Sequence, residues 1–305
     1  MKQKSMYTVL LAILLSGCSS YEESGQENVE IKVGATVSGA VTKAPVTTGD
    51  SFTAAITAFE AAAWPSNWTT TPTWQNTITL VASETAAGTS VPLNVSKVYP
   101  SSGNVYMAAW HPAIASQAGV VTFKQTGDED VMYGGIATGS KTTPANAFSF
   151  NHALTQLNFQ VQASDAYLTG NPGKKVAGIE VLSAAYPASM TIADGVIRYA
   201  AAADIAVPGV VATELSWNVT KIGEPLMVKA IDGLRVRVNY DDGTSSREID
   251  IMDASTQANL KALAGYSHLI TLSFLNNGEV GIEGTAIVAP WQMGATGNGV
   301  ITPGI

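Results

Sequence analysis

The chain has 305 residues, a net charge of −8 and only 13% charged residues. It carries no basic cluster of the kind that neutralises phosphates, which argues against a nucleic-acid partner, and its apolar and β-branched content is too high for a disordered chain. A single cysteine, Cys18, excludes an intramolecular disulfide and a thiolate metal cluster.

Lys2 and Lys4 precede an apolar run at 10–15, followed by Ser16-Gly17-Cys18. This is the outline of a secretory signal over residues 1–18. The run is too short for a permanent membrane helix, which takes about 20 apolar residues. Leu15-Ser16-Gly17-Cys18 reads as a lipobox: small residues admit a signal peptidase, and the Cys18 thiol then accepts a diacylglycerol. Each buried acyl CH₂ adds about 0.8 kcal/mol, so several chains would hold the precursor to a membrane. Residues 19–27 are polar and read as a tether.

From residue 29 the pattern alternates. Val29, Ile31, Val33, Ala35 and Val37 fall on one face, with Glu30, Lys32, Gly34, Thr36 and Ser38 on the other, as in a half-buried strand. Thr42-Lys43-Ala44-Pro45 and Gly49-Asp50 follow, and Pro45 marks an accessible loop. Strand-like runs come next at 51–59, 76–82, 91–95, 105–110 and 148–161. The last is interrupted near Asn151-His152-Ala153 by what reads as a bulge or a helical turn. A Gly/Asp/Asn/Pro-rich segment at 163–175 suggests a domain boundary near 162. Beyond it lie runs at 176–182, 189–192, 196–199, 225–228, 234–240 and 247–251, the last two flanking the hairpin signal Asp241-Asp242-Gly243-Thr244. Residues 254–263 suit one short helix. A second hairpin is expected from 268–274, Asn276-Asn277-Gly278 and 280–287, closed by Pro290-Trp291. The tail 292–305 is Gly-rich. Many short strands without βα alternation predict an all-β chain built of sandwiches.

Chemistry is sparse. His111, His152 and His268 lack helical or finger spacing for a metal and read as packed or edge imidazoles. Asp128-Glu129-Asp130 lacks the spaced carboxylates of a Ca²⁺ loop and reads as a solvated turn. No nucleophile elbow, phosphate loop or dinucleotide fingerprint is present, so no catalytic residue, metal or cofactor is expected and the chain reads as a non-enzyme. Trp64, Trp68 and Trp74 cluster in a Pro/Thr/Asn-rich stretch and are candidates for a glycan or partner contact.

Four segments taken in order resemble the fimbrillin family of Bacteroides-type bacteria, subunits of type V pili. They are Thr42-Lys43-Ala44 with Gly49-Asp50; Asp130-Val131-Met132-Tyr133-Gly134; Phe150-Asn151-His152-Ala153-Leu154-Thr155-Gln156-Leu157; and 266–274 with 280–287 and Trp291. Glu22 and Glu23, just past Cys18, likewise resemble a surface-export signal of such bacteria. The resemblance implies two tandem transthyretin-like β-sandwich domains, here 44–162 and 163–291, behind a tether and removable first strand at 19–43. It implies a lipoprotein of the outer membrane that reaches the cell surface. There a trypsin-like protease cuts between Lys43 and Ala44, where many members carry Arg instead of Lys. The first strand leaves and a C-terminal segment of the next subunit, for which 292–305 is the candidate here, fills the groove by β-augmentation. Such a head-to-tail contact builds a filament, whose partners are other pilin subunits and a host or bacterial surface receptor. The competing expectation is a monomeric surface glycan-binding lipoprotein using the three tryptophans.

Overall fold

The computed structural model describes residues 28–38, 49–82, 90–145, 147–276 and 280–290. In its first half run β1 (Lys32–Ser38), β2 (Ser51–Ala61), β3 (Trp74–Val81), β4 (Val91–Pro92), β5 (Asn104–His111), β6 (Val120–Thr122), β7 (Met132–Gly139) and β8 (Ala147–His152). There follow β9 (Thr155–Ala163), α1 (Asp165–Gly170), β10 (Lys175–Ala184), β11 (Pro187–Thr191), β12 (Ile197–Tyr199), β13 (Ala203–Ala206), β14 (Thr213–Glu214) and β15 (Thr220–Val228). The second half ends with β16 (Ile231–Asp232), β17 (Arg235–Tyr240), β18 (Ile249–Asp253), β19 (Lys261–Ala262), β20 (Tyr266–Asn276) and β21 (Val280–Pro290). The protein is all-β, as the alternating runs predict.

The first sheet has the order β3-β2-β5-β7-β8-β1-β4. It curls back on itself: the Asn94 amide donates to the Thr77 carbonyl at 2.9 Å and the Asn76 side chain to the Val95 carbonyl at 2.6 Å, so the segment after β4 returns to β3. Ile56, Ile78, Met107, Phe148 and Phe150 fill its interior. The second sheet has the order β13-β10-β17-β18-β21-β20-β9-β15, with β14 also on β10. It encloses a separate core that includes Leu157, Phe159, Val181, Val236, Leu272 and Phe274.

A third core lies outside the first sheet. In β2 and β5 successive side chains alternate faces, and here both faces are buried. Ala54, Ile56, Val105 and Met107 point into the barrel, whereas Ala55, Phe59, Tyr106, Ala108 and Trp110 point outward. Strands buried on both sides read as continuous apolar runs, and Val105-Tyr106-Met107-Ala108-Ala109-Trp110 is one. What covers that outer face is a small sheet, β12-β11-β6, in which β6 of the first half pairs with β11 of the second, Met190 opposite Val121. Val121, Phe123, Met190, Ile192 and Met227 close over Trp110 and Tyr106. The Tyr133 hydroxyl donates to the Ile192 carbonyl at 2.9 Å, and burial with the nearby Asp194 carboxylate pushes this phenol up to about 12, so it stays a donor.

Three local expectations are corrected. The run at 148–161 is two strands in different sheets: β8 belongs to the first, and β9 pairs with β20 and β15 in the second. The expected break is neither a bulge nor a helical turn: β8 runs on through Asn151 and His152, and the chain crosses from the first sheet to the second at Ala153-Leu154. The segment 163–175 holds α1, capped by Ser164, whose Oγ accepts from the Tyr167 amide at 3.2 Å, with Tyr167 buried against Phe274. No helix forms at 254–263. Asp253 instead accepts from the amides of Ser255 and Thr256 at 2.8 and 3.2 Å, a side-chain turn that competes with helix, and β19 follows. The hairpin expected around 276–278 forms as β20 and β21, paired from Tyr266 with Pro290 to Asn276 with Val280; its tip lies outside the described residues.

Candidate functional site

The sequence feature that most asks for a function is the amphipathic strand that precedes Lys43. It is β1, seated between two unlike neighbours. Gly34 to Ser38 pair in parallel with Ala147 to Asn151 of β8, and on the other edge Lys32 and Val33 pair with only Pro92 and Val91 of β4. Before β1, the Ile31 amide donates to the Lys97 carbonyl at 2.7 Å, and the Tyr99 amide to the Val29 carbonyl at 2.9 Å. Ile31, Val33 and Val37 are wholly buried and Ala35 nearly so, all in the barrel interior. Lys32 is exposed and pairs with Glu30 at 3.2 Å across solvent. Burying these four side chains contributes roughly 5–9 kcal/mol, as much as the net stability of a typical domain. A groove that lost β1 would therefore be strongly driven to take another strand of the same alternation.

Two of the four motif segments meet at the inner end of this groove. His152, two residues past Phe150, places Nδ1 2.8 Å from Asp130 Oδ1, with both side chains fully buried. The Ala153 amide donates to the Val131 carbonyl at 2.9 Å and the Gly265 amide to the Leu154 carbonyl at 2.8 Å, pinning the crossing point to both halves. Gly134 lies against the Phe150 ring: a Cβ there would sit 2.9 Å from Phe150 Cζ. The acidic cluster is thus not a solvated turn throughout. Glu129 accepts from the Lys124 amide at 2.7 Å and Asp128 from the Thr126 hydroxyl, but Asp130 is inside the protein. Its partner sits 22 residues away in sequence, with no local pattern to betray it.

The other histidines are packed, as expected. His111 Nδ1 lies 2.8 Å from the Thr53 carbonyl. His268 of β20 is completely buried, and desolvation holds its imidazole down to about 4, against weaker opposing effects of the Leu263 backbone and Asp253. Among the described residues no group of three or more metal-ligating side chains exists, and an open groove of about 620 Å³ lies beside Arg247, Asp250 and Gly284.

The three candidate tryptophans do not form one exposed platform. Trp68 is buried in the third core against Phe59, and Trp74 in the barrel, its indole N–H donating to Glu60 at 3.0 Å. Trp64 alone is exposed, at 56%, leaning on Tyr106 and Trp68. Cys18, Lys43 and Ala44, like the tail 292–305, lie outside the described residues. β21 does not: it is paired with β20 along its length and, at Gly284 to Ala286, with β18 on the other side.

A sequence model of a family described as fimbrillin-like matches residues 41–291. The chain belongs to the fimbrillin-like family. The match begins beyond β1. Among solved structures, a candidate cell adhesion protein from Bacteroides uniformis ATCC 8492 is similar at 18% identity and a TM-score of 0.53, over 88% of this chain and 99% of that one. A fimbrial protein from Bacteroides vulgatus ATCC 8482 has 16% identity, a TM-score of 0.45 and coverage of 86% and 99%. The tip fimbrial protein Mfa3 from Porphyromonas gingivalis, with a C-terminal truncation, has 9% identity, a TM-score of 0.44 and coverage of 86% and 100%. At such identities the first of these speaks for the fold. No curated protein sequence matches significantly.

Proposed function

We propose that this fimbrillin-like chain is a pilus-type adhesion subunit that polymerises by strand exchange. The observation that carries the reading is β1: a core-filling strand paired with β4 over only two residues, lying just before the segment that contains Lys43. On this reading Cys18 is acylated, the precursor rides the outer membrane to the surface, and a trypsin-like protease cuts between Lys43 and Ala44. β1 then leaves, and a neighbouring subunit supplies a strand to the vacated seat between β8 and β4. That β21 is engaged on both edges favours the tail 292–305 as the donor. The chain acts as a structural component and performs no catalysis. The glycan-binding alternative loses two of its three aromatic faces to the interior.

Anchor-free protein treated with trace trypsin tests this. The expected result is a new N-terminus at Ala44 together with SDS-resistant oligomers, since strand-exchanged complexes dissociate slowly. A Lys43→Gln chain under the same treatment stays uncut there and monomeric. Oligomers that form equally well in that variant would exclude processing at Lys43 as the trigger.

A further inference from the structure

We infer that the third core is a brace that keeps the first half folded while its groove is empty. The inference rests on the strand-exchange reading, which requires a state with β1 gone and no donor yet seated. In that state the barrel interior loses Ile31, Val33, Ala35 and Val37 at once, and a single-cored barrel would be left with little net stability. The outer face of β2 and β5 is insulated from this loss. None of the residues packed there comes from β1, and the two positions lie at different places in the sheet: β2, β5 and β7 are consecutive neighbours, and β1 follows only after β8.

The brace is built across the halves. Beyond the pairing of β6 with β11, the Phe123 amide donates to the Ala188 carbonyl at 3.0 Å, Ile192 to Gly119 at 3.0 Å and Met227 to Gly127 at 2.7 Å. Trp110 and Met190, both fully buried, sit inside it, and the Trp110 indole donates to the Ile114 carbonyl at 2.8 Å. The second half, with a core that uses nothing from β1, thereby holds the part of the first sheet farthest from the groove. β1 and the braced strands are two separately opening units: β1 detaches locally, and β2 and β5 open only when the brace does.

Hydrogen exchange on the full chain tests this with two sets of substitutions. Val33→Asp with Val37→Asp places charges in the barrel and undocks β1 without cleavage. Amides of β1 are expected to exchange at least about 100-fold faster, with those of β2 and β5 within about tenfold of the unaltered chain. Ile192→Ala thins the brace and leaves β1 untouched: β2 and β5 are expected to exchange at least about 30-fold faster and β1 within about threefold. A common acceleration of β1, β2 and β5 in either case overturns the proposal, as does a failure of Ile192→Ala to accelerate β2 and β5. Neither outcome depends on protease or donor. Resistance of Lys43 to cleavage would sink the processing step and leave this result standing.

Discussion

The first and last described strands are both amphipathic and both pair in a sheet, yet they are held differently. β21 spans eleven residues, matched along its whole length by β20 and flanked by β18. β1 spans seven and shares five registered positions with β8 and two with β4, with one further isolated bridge before it, Glu30 to Val98. Strand length and the number of satisfied edges decide which terminal strand can leave without unfolding its sheet.

The strongest way to break this comparison is through the brace that makes β1 separable. Trp110→Ala removes a fully buried indole from the third core and should cost about 3–5 kcal/mol in chemical denaturation, where an inessential brace would cost little. Asp130→Ala removes the buried 2.8 Å hydrogen bond to His152 and is expected to cost about 1–3 kcal/mol; an equilibrium unfolding curve that hardly shifts would remove the pair from its role in fixing the crossing between sheets. His268 sharpens the contrast from the β20–β21 side. Its folded pKa, about 4, lies below the usual 6.5 because burial penalises the imidazolium. The stabilisation it permits is complete above about 6.5 and is lost as pH falls from there to about 4, up to roughly 3 kcal/mol. Asp194 and Asp253, whose carboxyls hydrogen bonds hold below the ordinary value, lose their contribution at lower pH still, so the two windows separate. Stability measured across pH 7 to 4 should lose that slope in a His268→Leu chain. The smallest effect belongs to Trp64→Ala, about 1 kcal/mol or less, from two exposed aromatic contacts.

Much of this was legible in the residues. β1 announced itself by strict alternation from Val29 to Val37, and the structure buries Ile31, Val33, Ala35 and Val37 on the face that alternation assigns. The β20–β21 hairpin followed from Asn-Gly between alternating runs. What escaped was non-local. The alternation continues across 148–161 because both β8 and β9 bury one face, so periodicity alone has no means of showing that they face different cores. The third core needed β6, only three residues long, to find β11 more than sixty residues later. Trp68 and Trp74 lie in a Pro/Thr/Asn-rich stretch and read as candidates for a glycan or partner contact, and the structure turns both rings inward. The expected helix at 254–263 yielded to Asp253, whose carboxylate caps its own turn.

The central claim is that the seat of β1 is an exchangeable groove. Its most direct test is binding of a synthetic peptide, residues 28–38, to chain cut after Lys43 and freed of its own first strand. Strand exchange predicts one peptide bound per subunit and suppression of SDS-resistant oligomers when the peptide is in excess. Cut protein that stays folded, takes up no peptide and assembles regardless would contradict it.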